Sequence, residues 1–332
     1  MSGINFENGR ELDIIVSGRA GVDFNTMDLN CSFEDITGYT KSVGGSPANT
    51  VQGLAKLSVK TGFIGKISSN DMGKYIRNTF EKANIDTKGL IDDKTGANNC
   101  IAITFIKSPE DSSSFLYRNT TADTLLESSD ISEEYIKSAK CVLMSGTAFS
   151  TEPSRSAMFT IMELAKKNKT KVILDIDYRP YGWTSKEQTA ECFSEALKYC
   201  DIVIGNREEF DAVEYNDIRD NKDNEVSAKR LLEIGAELVI IKDGSKGSVA
   251  ITKTGEKTSC GIIKTKALKT YGSGDAYAAG FLSSLIFGES LEYSMKFGSA
   301  AASLALTAMS CSEGMPTKEE VLKHIENNSF SV

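Results

Sequence analysis

The sequence predicts an α/β protein with a mostly parallel sheet covered by helices on both faces and a small β-sheet projecting from it as a lid. Two observations carry this reading. Short apolar runs alternate with amphipathic stretches through the 332-residue chain, and two regions break the alternation with β-forming and polar residues mixed together. In chain order, residues 13–17, 141–145, 171–175, 202–204 and 238–242 read as buried strands. Residues 154–168, 185–199 and 227–235 have the spacing of helices lying between them. The interrupting regions, 24–43 and 98–118, supply the lid strands, and with no repeat or linker the whole of 1–332 is expected to be one domain. The polar stretch 211–225 reads as a helix end and surface loop.

Composition narrows the functions. With 40% hydrophobic and 25% charged residues the chain can bury a core, and a net charge of −8 gives no basic footprint for nucleic acid. No run approaches the roughly 20 apolar residues of a membrane helix, and the polar, acidic start is not a signal peptide, so a cytoplasmic protein is expected. Seven scattered cysteines without a Cys-x-x-Cys pair read as reduced, mostly buried thiols. A single histidine, His324, excludes His-based triads and argues against a Cys/His metal centre.

Two glycine segments carry chemistry. Gly272-Ser273-Gly274-Asp275 opens a helical run of small and apolar residues, where exposed backbone N–H groups and the helix dipole attract a phosphate. A carboxylate at that turn is placed to take a proton from an attacking alcohol, although Asp275 could equally be a helix cap. Gly44-Gly45-Ser46-Pro47-Ala48-Asn49 precedes another helix, and Asn49 offers a donor and an acceptor to sugar hydroxyls. Gly18 to Asp23 follow the first strand, but without the G-x-G-x-x-G spacing of a dinucleotide site. Gly62 to Ser68 resemble half a Walker loop, with Lys60 and Ile67 in the wrong places, and read better as a strand end.

The ordered pair of Gly44-Gly45-x-Pro-Ala-Asn49 and Gly272-x-Gly-Asp275 resembles the two signatures of the ribokinase-like (PfkB) carbohydrate kinases. The resemblance implies a three-layer α/β/α fold with a β-sheet lid and ATP-dependent phosphorylation of a sugar hydroxyl. By it, Asp275 is the catalytic base, Gly272, Ser273 and Gly274 form the anion hole, and Asp23, Gly44, Gly45 and Asn49 hold the sugar. Lys242, Gly244, Gly247 and Ser248 would form the ATP loop, where the alternative is an ordinary β-turn. Asn206 would serve ATP and Glu209 would hold Mg²⁺ through water, where the alternative is a helix N-cap. A monovalent cation and pairing of subunits through the lid also occur in this family.

Arg118 and Arg179 stand where some members hold an acid sugar, and a guanidinium fork suits a carboxylate; ordinary salt bridges are the other reading. The segments 17–23, 43–49, 145–148, 177–181 and 268–272 are similar to the subgroup of inositol catabolism, which implies a sugar acid as partner beside ATP. Lys269 departs from the Asp that most members carry, Ser273 replaces the commoner alanine, and Leu116 stands where acid-sugar kinases often have tyrosine. Kinases of 2-keto-3-deoxygluconate or fructose, and a non-catalytic sugar- or nucleotide-binding regulator, are the competing readings.

Overall fold

The computed structural model describes residues 4–106, 112–269 and 271–331; residues 107–111 of the second lid stretch and Thr270 beside the glycine motif lie outside the described residues. From the amino end the elements are β1 (Leu12–Ser17), β2 (Gly21–Leu29), β3 (Tyr39–Gly44), α1 (Ser46–Lys56), β4 (Thr61–Ile67), α2 (Asp71–Lys82), β5 (Asp86–Asp92), β6 (Ile101–Ile106) and β7 (Ser112–Tyr117). There follow α3 (Glu133–Lys137), β8 (Ala139–Ser145), α4 (Ser154–Lys167), β9 (Lys171–Asp175), α5 (Lys186–Leu197), β10 (Ile202–Asn206), α6 (Arg207–Val213) and α7 (Asn224–Ile234). The chain ends with β11 (Leu238–Lys242), β12 (Ser248–Thr252), β13 (Lys257–Cys260), α8 (Ser273–Ile286), α9 (Leu291–Ala305) and α10 (Lys318–Asn327).

Nine strands form one sheet in the order β13-β12-β11-β10-β9-β8-β1-β4-β5. From β11 to β5 every neighbouring pair is parallel, and β12 and β13 add an antiparallel edge. Successive strand residues point to opposite faces, so the buried strands feed two cores. Ile14, Val16, Cys141, Leu143 and Ile173 join the helices α1, α2, α8, α9 and α10 on one face. Ile15, Val142, Met144, Val172 and Leu174 join α3 to α7 on the other. The three-layer α/β/α expectation therefore holds, and its physical basis is the period-2 split of uniformly apolar strands.

The half-Walker segment is β4 itself. A Cβ on Gly65 would stand 2.6 Å from the Gly18 carbonyl oxygen, so this glycine serves close strand packing and not phosphate binding. The lid is a separate four-stranded sheet in the order β3-β2-β6-β7, with β2 and β6 parallel and the outer pairs antiparallel. All seven cysteines are free, and all but Cys31 are buried. No helix among the described residues is long and apolar enough to cross a membrane.

Helix contacts on the first face bring the two glycine segments together. A Cβ on Gly53 of α1 would lie 2.8 Å from Ala279 Cβ of α8, and one on Gly280 would lie 3.0 Å from Gly298 Cα of α9. Only small residues allow such approach. It sets the amino ends of α1 and α8 side by side, although they are more than 200 residues apart in sequence.

Candidate active site

The predicted site residues gather beyond the carboxyl ends of β1, β8, β9, β10 and β11, the edge where parallel sheets place ligands. At the amino end of α8, Gly272 is the N-cap with φ 86°, a left-handed conformation that suits glycine, and no side chain caps the helix there. Asp275 is turned instead toward α1. Its Oδ1 accepts from Ser46 Oγ at 2.7 Å and its Oδ2 from Asn49 Nδ2 at 2.8 Å. Burial, and then the nearby Asp177, raise the Asp275 pKa above the usual carboxylate range, while Asn49, Ser46 and Arg179 hold the rise back. A half-buried carboxylate with a raised pKa, fixed by two neutral donors, is equipped to accept a proton.

Beside it lies a region of charged side chains. Gly44 lets the Asp23 carboxylate pack where a Cβ would collide with it, and Gly45 has φ 103°, where a Cβ would stand 2.8 Å from the Arg19 carbonyl oxygen. Burial pushes Asp23 up to about 6, against the attraction of Arg19 and Lys269. Asn49 spends its amide N–H on Asp275 and keeps a buried Oδ1 without a partner, an acceptor left for a hydroxyl. Arg118 is engaged within the protein: Nε pairs with Asp123 at 2.7 Å, and both Nη atoms donate to the Thr147 carbonyl at 3.3 Å. Arg179 pairs with Asp177 at 2.7 Å, lies 3.7 Å from Glu209, and is 39% exposed. Asp177 also accepts from Ser145 Oγ at 2.8 Å and has φ 38°, which aspartate tolerates better than most residues.

On the other side of Asp275 a cleft of about 350 Å³ is lined by Lys242, Gly244, Gly247, Ser248, Ser273 and Gly274, among others. Gly244 and Gly247 have φ 52° and 86° in a tight link between β11 and β12, and a Cβ on Gly244 would meet nothing within 4 Å. Ser248 Oγ shares a hydrogen bond of 2.8 Å with Tyr277 Oη. Lys242 is half-buried 3.8 Å from Asp175, and a Cβ on Gly274 would lie 3.5 Å from its Nζ. Burial lowers its pKa, but Asp175 and Glu209 more than offset this, so the ammonium stays charged. Burial likewise raises Asp175 to about 6 and Glu209 to about 7, with Lys242 opposing both.

Asn206 and Glu209 form a reciprocal capping box at the start of α6: Glu209 N–H donates to Asn206 Oδ1 at 2.9 Å, and Asn206 N–H donates to Glu209 Oε2 at 2.7 Å. One Glu209 oxygen thus remains toward the site. Among the described residues no three His, Cys, Asp or Glu side chains converge as a metal cage. Carboxylates already facing a cation or a donor suit Mg²⁺ held chiefly by phosphate oxygens and water. Lys269 is fully buried at the floor of the cleft, 3.2 Å from Cys311 Sγ and 5.0 Å from the Tyr271 ring centre.

Sequence reasoning missed the carboxylates of Asp175 and Asp177, the donor role of Ser46, and Arg19. For the first two a signal existed, since Asp175 ends β9 and Asp177 follows it at the ligand edge. The bond from Ser46 to Asp275 spans 229 residues and had none.

The description of the pfkB family of carbohydrate kinases matches residues 12–318. The chain is 43% identical over 328 residues to a 5-dehydro-2-deoxygluconokinase of Geobacillus kaustophilus, covering 99% of this chain and 98% of that one. To the enzyme of the same name from Bacillus subtilis it is 43% identical over 324 residues, with 98% and 99% covered. Among solved structures, a putative ribokinase II of E. coli with ATP and Mg²⁺ superposes with a TM-score of 0.85 at 16% identity, covering 95% of this chain and 99% of that one. A fructokinase of Xylella fastidiosa with bound ATP gives 0.83 at 21%, covering 95% and 98%. At those identities the structures speak for the ribokinase-like fold alone.

Proposed function

Because this chain belongs to the pfkB family of carbohydrate kinases, we propose that it transfers the γ-phosphoryl group of ATP to the primary hydroxyl of 5-dehydro-2-deoxygluconate, giving the 6-phosphate. The acceptor is supported by near full-length relatives that carry that name. The single observation that carries the chemistry is the grip of Ser46 and Asn49 on the two oxygens of Asp275. It leaves a raised-pKa carboxylate beside the amino end of α8, between a glycine-lined cleft and a region rich in charged side chains.

In this reading ATP lies along the cleft, its phosphates passing the Gly244–Gly247 link and Lys242. The sugar lies across Asp23, Gly44, Gly45 and Asn49, beside the Arg179–Asp177 pair, and Asn49 Oδ1 accepts from a sugar hydroxyl. Asp275 removes the proton as the hydroxyl oxygen forms its bond to phosphorus and the bond to the ADP oxygen breaks. Backbone N–H groups at Gly272, Ser273 and Gly274 face the transferring group, and Lys242 adds a fixed positive charge. Mg²⁺ would neutralise phosphate charge, with Glu209 and Asn206 holding its water and phosphate neighbours. Met27, Phe115 and Tyr117 on the small sheet, and Phe33 in the turn between β2 and β3, are exposed, which supports pairing of two copies through that sheet.

The test is ADP release across a panel of sugar acids and ketoses. Fastest turnover with 5-dehydro-2-deoxygluconate is expected. Preference for fructose or for 2-keto-3-deoxygluconate would overturn the acceptor. ATP binding without ADP release on any acceptor would mark a chain that keeps the family fold without its chemistry.

A further inference from the structure

We propose that Arg19, at the end of β1, is the residue that reads the carboxylate of the acceptor; this rests on the sugar-acid reading above. Its side chain is 8% exposed, and Nε and Nη1 are enclosed without any hydrogen-bond partner. A guanidinium does not shed its proton at any ordinary pH, so one held in this way is costly until an anion or acceptor meets it. It also faces the right place. Its Nε lies 3.3 Å from where a Cβ on Gly45 would stand, against the glycine pair assigned to the sugar.

The protein's own carboxylates do not satisfy it. Asp123 is taken by Arg118 at 2.7 Å and Thr121 Oγ1 at 2.6 Å. Asp177 is taken by Arg179 at 2.7 Å and Ser145 Oγ at 2.8 Å. Asp23 packs on Gly44 and attracts Arg19 through space, but Arg19 Nε and Nη1 have no hydrogen-bond partner there. The other two arginines are already paired, so among the three guanidiniums Arg19 is the one whose partner is missing. The acceptor proposed above brings one anionic group, its carboxylate. A neutral sugar would bring no anion to Arg19 Nε and Nη1, and discrimination follows from those two unpaired donors.

The experiment compares 5-dehydro-2-deoxygluconate with its methyl ester in wild type, Arg19→Gln and Arg19→Lys, with ATP binding measured by calorimetry in each. Wild type should prefer the acid. Arg19→Gln should lose about 30-fold or more in kcat/KM for the acid, while the ester and the ATP affinity change little. Arg19→Lys, which keeps the charge without the planar fork, should retain part of the preference. If Arg19→Gln binds ATP and still prefers the acid as wild type does, Arg19 does not read the carboxylate. If Arg19→Gln does not bind ATP, Arg19→Lys decides: undiminished preference overturns the role, and reduced preference with ATP binding intact supports it. Wild type that phosphorylates another sugar but not this acid would instead defeat the acceptor assignment.

Discussion

Around Asp275, the cleft between Lys242 and Gly274 presents chiefly glycine and backbone, whereas the region of Asp23, Arg118 and Asp177 presents charged side chains, among them the pairs Arg118–Asp123 and Arg179–Asp177. The two regions solve different problems. A phosphate chain looks alike in every nucleotide, so backbone N–H groups and two positive-φ glycines suffice to receive it. A particular sugar must be told from its isomers, which takes side chains aimed from several strands and held still by ion pairs.

The largest effect should come from Asp275, the proposed base between the two regions. Asp275→Asn is expected to lower kcat by about 10²–10⁴-fold while ATP binding is kept, measured by ADP release and calorimetry. Full activity in that variant would remove the chemistry from this carboxylate. Next comes Arg118→Met, which strands Asp123 in a buried site where their side chains are only 9% and 2% exposed. A stability loss of about 3–5 kcal/mol in urea unfolding is expected. An Arg118→Met protein of wild-type stability with poor acid turnover would make Arg118 a substrate ligand and erase the contrast with Arg19.

Gly44→Ala drives a methyl group into the Asp23 carboxylate, so KM for the sugar should rise by roughly 10²-fold with ATP affinity nearly unchanged. An equal loss for both substrates would show that the two regions are not separable. The smallest effect concerns Glu209. Its folded pKa of about 7 lies above the ordinary 4.5, so its contribution to stability is full below about 4.5 and is lost as pH rises through about 7. Glu209→Gln should therefore gain on wild type by on the order of a few degrees in Tm as pH rises across that window. A gap that does not move with pH would show that Lys242 keeps Glu209 ionised throughout.

The same contrast explains what could be read from sequence. Strands at 171–175 and 238–242 were legible to the residue, because a fully buried parallel strand is an uninterrupted apolar run. The glycines that line the cleft were legible because positive φ and close backbone approach demand glycine at fixed places. The sugar side was not. Arg118 and Arg179 were visible as cations, but whether a guanidinium is free or paired depends on Asp123 and Asp177, whose positions the fold sets. Asn206-x-x-Glu209 was ambiguous for a physical reason, since the spacing that reaches a ligand also makes a capping box, and the structure builds the box. Lys269 gave no local clue that it would be sealed against Cys311. In the small sheet, β-forming residues mixed with polar ones suggested strands, but not that β2 and β6 would pair in parallel with Asp23 opposite Ala102.

Gly53 has a consequence of an evolutionary kind. It sits behind Ser46 and Asn49 on α1, where no substrate reaches, yet its contact with Ala279 sets how far those two donors stand from Asp275. A change there that thickens the helix crossing is felt by the core and by the reaction at once. Selection for heat resistance and selection for turnover therefore act on the same position, and a lineage cannot drift at Gly53 under one pressure without answering to the other.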